Sequence, residues 1–189
     1  MTDQLLICAP MRIEARAIRR GLRGSASPPQ VVRTGSDPNT PTVLRTGSDP
    51  KTATVLRTGY GTTRAAQRAE ELKAASFGQI AIMGVGAGLT TDLSPGDLVV
   101  GTEAGLVSCA SAPLLAGELR RAGLPARTGR ITTVDHLVRR SERAALAADG
   151  TLLADMESAP LATAAGQRRR LHVGPVSYTH LTLPTNREV

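Results

Sequence analysis

The stretch VLRTGYGTTRAAQRAEELKAASFGQIAIMGVGAG, residues 55–88, carries the plainest strand and helix pattern in the chain. It predicts a strand over residues 55–58, a turn at residues 59–61 and a helix over residues 63–75. A second strand over residues 80–83 follows, before a run of glycines. Two strands joined by a helix are typical of a parallel sheet that is covered by helices. The stretch therefore predicts an α/β fold.

The same alternation continues on both sides of this stretch. Further strands are predicted at residues 5–9, 97–101, 129–134 and 152–154. Further helices are predicted over residues 13–22, 114–122, 141–148 and 156–167. Because strands and helices alternate throughout, we expect one layered α/β domain with a largely parallel sheet, in which ligands bind at the carboxyl ends of strands.

A tandem repeat precedes the central stretch. VVRTGSDPNTPT (residues 31–42) is followed by VLRTGSDPKTAT (residues 43–54), and a third copy begins at Val55. The period is 12 residues and the first two copies differ at three positions. Solenoid units are longer than this, so a tandem duplication explains the pattern better. Each copy predicts a short strand and a Ser-Asp-Pro turn, as in a hairpin or a surface loop, and we expect residues 31–54 to be dispensable.

The end of the chain differs from the rest. Residues 176–189, VSYTHLTLPTNREV, are rich in threonine and show neither helical nor strand periodicity. They resemble the translated adapter sequence found at the ends of some assembled reading frames, with a genuine C-terminal tail as the alternative. We therefore expect a domain over residues 1–175 that is incomplete at its C-terminus, followed by a tail that is not native.

Composition excludes several classes of protein. The net charge is +7, but all basic residues except Lys51 and Lys73 are arginine, tryptophan is absent and aromatic residues make up 2%. Binders of nucleic acid usually combine basic stripes with stacking aromatics, so we expect no specific nucleic-acid partner. No apolar run is long enough to span a membrane. Cys8 and Cys109 show no pairing pattern and no secretory signal is recognisable, which favours the cytoplasm.

Polar residues or glycines follow three of the predicted strands. Glu14 follows the first strand, the glycine run GVGAG occupies residues 84–88, and Asp155 and Glu157 follow the strand at residues 152–154. Each has an ordinary structural explanation: a solvated first-turn glutamate, a turn that lacks the full dinucleotide-binding pattern, and N-terminal capping of a helix. If the strands run parallel, their carboxyl ends share one edge, and we expect Glu14, Met156 and Glu157 to converge on one pocket beside Gly86–Gly88.

Metal chemistry is not indicated. The three histidines, His136, His172 and His180, have no ligand spacing, and the two cysteines stand alone. No G-x-S-x-G sequence surrounds Ser108, so a hydrolase nucleophile of that type is not expected.

Taken in order along the chain, five motifs resemble the purine nucleoside phosphorylase/nucleosidase superfamily. They are A-P-M-x-x-E-A, R-T-G-x-G, G-x-G-A-G-L-x-x-D-L-x-P-G-D-L-V-V, T-x-D-H-L-V and A-D-M-E-S-A. The similarity is greatest to the branch that holds methylthioadenosine/S-adenosylhomocysteine nucleosidases and hopanoid-associated phosphorylases. It covers residues 5–173, apart from the extra repeat copies.

This resemblance implies a three-layer α/β/α sandwich with a mixed, largely parallel central sheet that cleaves the N-glycosidic bond of a purine nucleoside. Glu14 matches the family's catalytic glutamate, which orients or deprotonates the attacking water. Glu157 matches the residue that accepts hydrogen bonds from the ribose hydroxyls, and Leu137 matches a residue at the purine. The other positions implied as substrate-binding are Val85, Gly86, Ala87, Gly88, Val138 and Met156.

The chain also departs from the family pattern. Leu137 stands where an aromatic residue usually stacks on the base, and Val85 stands where a hydroxyl residue is usual. No arginine matches a phosphate-binding position, which favours hydrolysis over phosphorolysis, with no cofactor and with phosphate as co-substrate only for a phosphorylase. The family's terminal strand, expected here near residues 171–173, carries an aspartate that protonates the departing purine, and this chain has none there. We therefore expect impaired activity.

Three readings stay open at this point. The first is an impaired purine nucleosidase or phosphorylase whose partner is a small nucleoside. The second is a non-catalytic remnant that retains nucleoside binding, and the third is a basic protein associated with nucleic acid. A homodimer is compatible with the first two.

Overall fold

Strands and helices alternate along the residues that the structure describes. The structure is a computed structural model, and it describes residues 5–22, 29–33, 42–46, 53–74, 77–166 and 173–178. Its strands are β1 (Leu5–Ala9), β2 (Pro29–Arg33), β3 (Thr42–Thr46), β4 (Ala53–Arg57), β5 (Gln79–Val85), β6 (Ala87–Gly88), β7 (Leu98–Ala104), β8 (Val107–Ser108), β9 (Ala126–Thr133), β10 (Thr151–Asp155) and β11 (Val173–Tyr178). Its helices are α1 (Arg12–Leu22), α2 (Thr62–Ala74), α3 (Ala112–Arg121), α4 (Arg143–Ala147) and α5 (Ser158–Gly166), with a 3₁₀ turn at Arg140–Glu142.

The alternation of side chains along β1 shows how the layers are built. Successive residues of a strand point to opposite faces of the sheet. Leu6 and Cys8 are buried in one core that includes residues of α2, α3 and α5. Ile7 and Ala9 are buried in a second core with Ala15 of α1. Helices therefore cover both faces of the sheet, and the α/β/α sandwich implied by the resemblance is confirmed.

The central sheet is mixed. Strands β4, β1, β5 and β11 lie side by side and run parallel. Strand β7 pairs antiparallel with β11, and β9 and β10 run parallel to β7. The order across the described sheet is β2-β3-β4-β1-β5-β11-β7-β9-β10-β6, with β8 paired to β7. The five strands predicted at residues 5–9, 55–58, 80–83, 97–101 and 129–134 all belong to this sheet.

The sheet curls until its two distant parts meet. Strand β6 follows β5 after Gly86 alone, yet β6 pairs antiparallel with β10 at the far end of the strand order. The end of β10 must therefore lie next to the end of β5. Gly86 permits this approach, because a Cβ atom there would lie 2.3 Å from Leu153 Cδ2 and 2.9 Å from the Ala154 carbonyl oxygen.

The tandem repeat forms the other edge of the sheet. Each copy contributes a strand, and β2, β3 and β4 form an antiparallel meander in which Val31 pairs with Leu44 and Leu44 pairs with Val55. Of the two arrangements predicted for the repeat, the hairpin is therefore the one that the structure shows. Whether residues 31–54 are dispensable stays a prediction.

Some element boundaries differ from the sequence prediction. The helix expected from Met156 begins at Ser158, and the helix expected over residues 141–148 is a 3₁₀ turn followed by the short α4. Residues 176–178, which we assigned to the tail, continue β11 and pair with β5 and β7. The rest of that tail lies outside the described residues, and its origin stays a prediction. No helix in the described part of the chain is long and apolar enough to cross a membrane.

Candidate active site

A cavity of about 620 Å³ lies where β10 meets the end of β5. Its lining includes all nine residues that sequence analysis proposed as catalytic or substrate-binding: Glu14, Val85, Gly86, Ala87, Gly88, Leu137, Val138, Met156 and Glu157. The structure therefore brings together residues that lie up to 143 positions apart in the chain. Their individual roles stay predictions, since no ligand contact tests them.

These residues line one cavity, as predicted, but the predicted reason, that parallel strands end at the same edge of the sheet, is wrong. Because β7 is antiparallel to β11, β10 runs opposite to β1 and β5. The carboxyl ends of β1 and β10 therefore do not share an edge as parallel neighbours. They meet because the sheet curls and the pairing of β10 with β6 places the two ends opposite each other.

Glu14 occupies the first turn of α1 and is 8% exposed. Its Oε2 accepts a hydrogen bond of 2.6 Å from the Met11 N–H, as the glutamate of a capping box does. Its Oε1 accepts a second bond of 2.9 Å from the Val85 N–H at the end of β5. The sequence-based alternative of a solvated glutamate is therefore wrong: Glu14 caps its helix, but it is buried and tied to the glycine turn.

Glu157 lies between β10 and α5 and is 4% exposed. Its Oε1 accepts a hydrogen bond of 2.6 Å from the Gly61 N–H, in the loop between β4 and α2. Gly61 has a φ of +93°, which favours glycine over residues with a Cβ. The third copy of the repeat thus ends in a turn that holds a carboxylate of the cavity.

Asp155 is the residue of this site that sequence analysis left unassigned. Its Oδ1 accepts a hydrogen bond of 2.7 Å from the Thr133 hydroxyl, and its Oδ2 accepts bonds from the Ser158 N–H, at 3.1 Å, and the Ser158 hydroxyl. The bond from the Ser158 N–H is the capping interaction that the sequence suggested for this acidic pair. The signal that could have revealed its second role is its adjacency to Met156 and Glu157.

Burial raises the proton affinity of all three carboxylates, and neighbouring negative charge adds to the rise at Glu157 and Glu14. Burial raises the pKa of Glu157 to about 7, against the hydrogen bond from Gly61, and the charges of Asp155 and Glu14 add to the rise. Burial also raises the pKa of Glu14, opposed by the bonds from Met11 and Val85. For Asp155, burial raises the pKa and the bonds from Ser158 and Thr133 oppose the rise. A raised Glu157 pKa places its ionisation near neutral pH.

The opposite wall of the cavity comes from the segment between β9 and α4. Leu137 lines the cavity although it is 60% exposed, and Arg143 lines it from the start of α4. His136 Nδ1 lies 2.8 Å from Asp135 Oδ1, and His136 Nε2 lies 3.3 Å from Glu142 Oε2. The imidazole thus links the two ends of this segment through hydrogen bonds. The family resemblance assigned no arginine to a phosphate-binding position. The signal in the sequence for Arg143 is that it follows Leu137 by six residues, and this signal is weak.

The cavity is equipped to hold a polyhydroxylated ligand. Carboxylates accept hydrogen bonds from hydroxyl groups, and the backbone at Gly86 and Gly88 can approach a ligand closely. The negative charge of the carboxylates also suits a ligand that becomes cationic as it reacts. Within the described residues, no three His, Cys, Asp or Glu side chains are grouped to hold a metal ion.

Comparison with solved structures finds the same fold in nucleosidases and in a futalosine hydrolase. A variant of the Helicobacter pylori 5′-methylthioadenosine/S-adenosylhomocysteine nucleosidase, with 5′-methylthioadenosine in its active site, matches with a TM-score of 0.78 and 16% identity over 95% of this chain and 85% of that chain. Futalosine hydrolase of Helicobacter pylori matches with a TM-score of 0.75 and 16% identity over 95% of this chain and 88% of that chain.

Sequence comparison matches part of the chain. No curated protein sequence matches significantly. The family model of the phosphorylase superfamily matches residues 36–179, a range that contains the glycine turn, Asp155 and Glu157. Glu14 precedes that range, so its assignment depends on the cavity and on the resemblance of its local motif. The match covers most of the sequence, and the chain belongs to the phosphorylase superfamily.

Proposed function

We propose that this chain cleaves the N-glycosidic bond of a purine nucleoside and uses water in preference to phosphate. The observation that carries the proposal is the pair of buried carboxylates, Glu14 and Glu157, held by backbone N–H groups on one cavity beside Gly86. Membership of the phosphorylase superfamily and the shared fold of two nucleosidases support it.

The reaction replaces one bond at the anomeric carbon of the ribose. The oxygen of water bonds to that carbon, the bond to the purine nitrogen breaks, and its electron pair leaves with the base. Positive charge develops on the sugar in between, and nearby carboxylates stabilise it. Glu14 is fixed by Met11 and Val85, so it can orient the water and take its proton.

Glu157 is proposed to hold the ribose. Its Oε1 accepts from the Gly61 N–H, and the Met156 N–H also donates to the carboxylate, which keeps lone pairs to accept a ribose hydroxyl. Only the ionised carboxylate accepts at both oxygens. Because the pKa of Glu157 is about 7, binding and turnover should increase as pH rises from 6 to 8.

The departing base needs a proton, and this is where the chain is proposed to be weak. The sequence from residue 171 onward contains no aspartate. General-acid assistance is worth roughly 10²- to 10⁴-fold in rate. We therefore propose slow turnover, and the alternative is a protein that binds nucleosides without cleaving them.

The test is adenine release from 5′-methylthioadenosine, followed with a coupled xanthine oxidase assay, in the chain and in Tyr178→Asp. Tyr178 pairs in register with Val85, whose N–H contacts Glu14, so this variant adds a carboxyl at the strand position paired with the start of the glycine turn. We expect slow release by the unmodified chain and at least tenfold faster release by Tyr178→Asp, within the range of general-acid effects.

The matched control is Ser177→Asp, because successive strand positions alternate between the faces of a sheet. Equal gains from both variants would contradict a positional acid. If neither variant nor the unmodified chain releases a base from any purine nucleoside, but all bind one, the non-catalytic alternative holds.

Arg143 supports phosphorolysis as a second candidate. A guanidinium group matches phosphate geometry, and Arg143 lines the cavity. Product analysis distinguishes the two reactions, since hydrolysis yields free sugar and phosphorolysis yields sugar 1-phosphate. If phosphate raises the rate and Arg143→Gln removes that increase, phosphorolysis replaces hydrolysis as the activity.

A further inference from the structure

Asp155 is the carboxylate for which the proposed reaction has no task. It lines the cavity, but protein donors already occupy both of its oxygens: the Thr133 hydroxyl on one, and the N–H and hydroxyl of Ser158 on the other. Glu157, in contrast, is bound through Oε1. Asp155 is therefore poorly placed to bind substrate itself and well placed to act on its neighbours.

The partners of Asp155 favour its ionised form. The Ser158 N–H can only donate. The Thr133 hydroxyl accepts a hydrogen bond of 2.9 Å from the Ala159 N–H, which leaves its own proton for Asp155. A protonated carboxyl would need an acceptor, and only the Ser158 hydroxyl could turn to accept, because the Ser158 N–H and the Thr133 hydroxyl are committed as donors. The geometry thus places the first negative charge of the cluster on Asp155.

That charge acts on the other two carboxylates. Asp155 contributes to the raised pKa of both Glu14 and Glu157, in each case after burial. The other titratable groups facing Glu157 across the cavity are Glu14 of α1, Tyr60 from the loop after β4, and His136 and Arg143 from the segment before and at the start of α4. Asp155 accepts hydrogen bonds from the Thr133 hydroxyl, the Ser158 N–H and the Ser158 hydroxyl, which stabilise its ionised form. Burial and the neighbouring charges raise the pKa of Glu157 to about 7.

We propose that Asp155 is a positioning residue that ionises before Glu157 where β10 closes the sheet, and that its negative charge delays the ionisation of Glu157. The effect of Asp155 on ribose binding rests on the proposed function, whereas its effect on the ionisation of Glu157 does not. In this arrangement Asp155 governs when Glu157 becomes an acceptor, while its hydrogen bonds keep the corner between β10 and α5 in place.

The experiment is a ¹³C NMR titration of the glutamate side-chain carboxyls in the full chain without substrate. Asp155→Asn keeps the size of the side chain and removes its charge. The matched control is Asp149→Asn, the same change on a residue that precedes β10 and pairs with Arg130 away from the cavity. We expect Asp155→Asn to lower the Glu157 midpoint by about one pH unit, a tenfold change in its ionisation ratio, and Asp149→Asn to leave it unchanged. An unchanged midpoint in Asp155→Asn overturns the proposal.

A second measurement covers the case in which Asp155→Asn fails to fold. In the unmodified chain labelled at aspartate and glutamate carboxyls, Asp155 should ionise at lower pH than Glu157, and the reverse order overturns the proposal. The pH profile of adenine release then tests the link to function, since loss of charge should shift its rising limb to lower pH. Absence of release at every pH refutes the proposed activity, and the titration still decides the role of Asp155.

Discussion

The two ends of the described sheet are built in opposite ways. At one edge, β2, β3 and β4 come from successive copies of the repeat and pair with their neighbours in sequence. At the other, β10 and β6 are remote in sequence and close the sheet around the cavity. The third copy of the repeat joins the two regions, because its strand β4 leads into the loop that binds Glu157.

The sequence of the copies shows which residues form the strands and which residues serve the cavity. All three copies share valine, arginine, threonine and glycine at equivalent positions, ending with Gly35, Gly47 and Gly59. The first two continue as Ser-Asp-Pro, whereas the third continues as Tyr60 and Gly61. Tyr60 lines the cavity and the Gly61 N–H binds Glu157. A strand can therefore be repeated, but the turn that serves the cavity occurs once in the described sheet.

The strongest test of this contrast is Glu14→Gln. Glutamine keeps the acceptor for one N–H but cannot take a proton from water, so turnover should fall by roughly 10²- to 10⁴-fold. The matched control is Glu70→Gln, which removes an exposed glutamate that pairs with Lys73 on α2. Turnover should be unchanged there. If Glu14→Gln keeps full activity in the adenine-release assay, the cavity does not work as proposed.

A smaller effect is expected from Glu157→Gln, measured as melting temperature against pH. The pKa of Glu157 is about 7 when folded and lies near the ordinary glutamate value of 4.5 when unfolded, so the stability contributed by its protonated form is lost as pH rises through 7. Glutamine does not ionise. The variant should therefore melt on the order of 5 °C higher than the parent at pH 8 and near the parent at pH 5. A lower melting temperature at pH 8 would contradict an unfavourable buried charge.

The repeated edge and the alternating elements could be predicted from sequence because their signals are local. The apolar run of β1 and the copies of Val-Leu-Arg-Thr-Gly each predict a strand without knowledge of the rest. Boundaries such as the start of α5 moved by two residues, because Asp155 caps the helix at Ser158. The family resemblance, not periodicity, identified Glu14 and Glu157 as residues of one site.

The closure of the sheet around the cavity, through the pairing of β10 with β6, could not be predicted from local patterns. It depends on pairing between β6 and β10, which lie more than 60 residues apart, and on the antiparallel step from β11 to β7. Neither leaves a local pattern, so the expectation of parallel strand ends was wrong even though the residues converge. Arg143 was missed, and Asp155 was named only as a helix cap, because their place in the cavity follows from the curl of the sheet.

The smallest effect is expected at the repeated edge, from deletion of one unit, residues 31–42. The deletion joins Gln30 to Val43, so the second copy keeps its strand sequence and β4 keeps its place beside β1. Shortening a connection by one unit changes its closure entropy little. We expect the melting temperature to fall by no more than about 4 °C, and adenine release to be unchanged.

The matched comparison for this deletion is Ala53→Pro. It gives the second copy, at the residue where β4 begins, the proline that the first copy has at the equivalent position, Pro41. Ala53 lies in β4 between β3 and β1 and pairs with Leu5, and proline in an interior strand removes a ladder hydrogen bond. This single substitution should lower the melting temperature more than the loss of 12 residues does. The opposite order would mean that the outer copies, and not β4, hold this edge, and that the repeat is structural rather than dispensable.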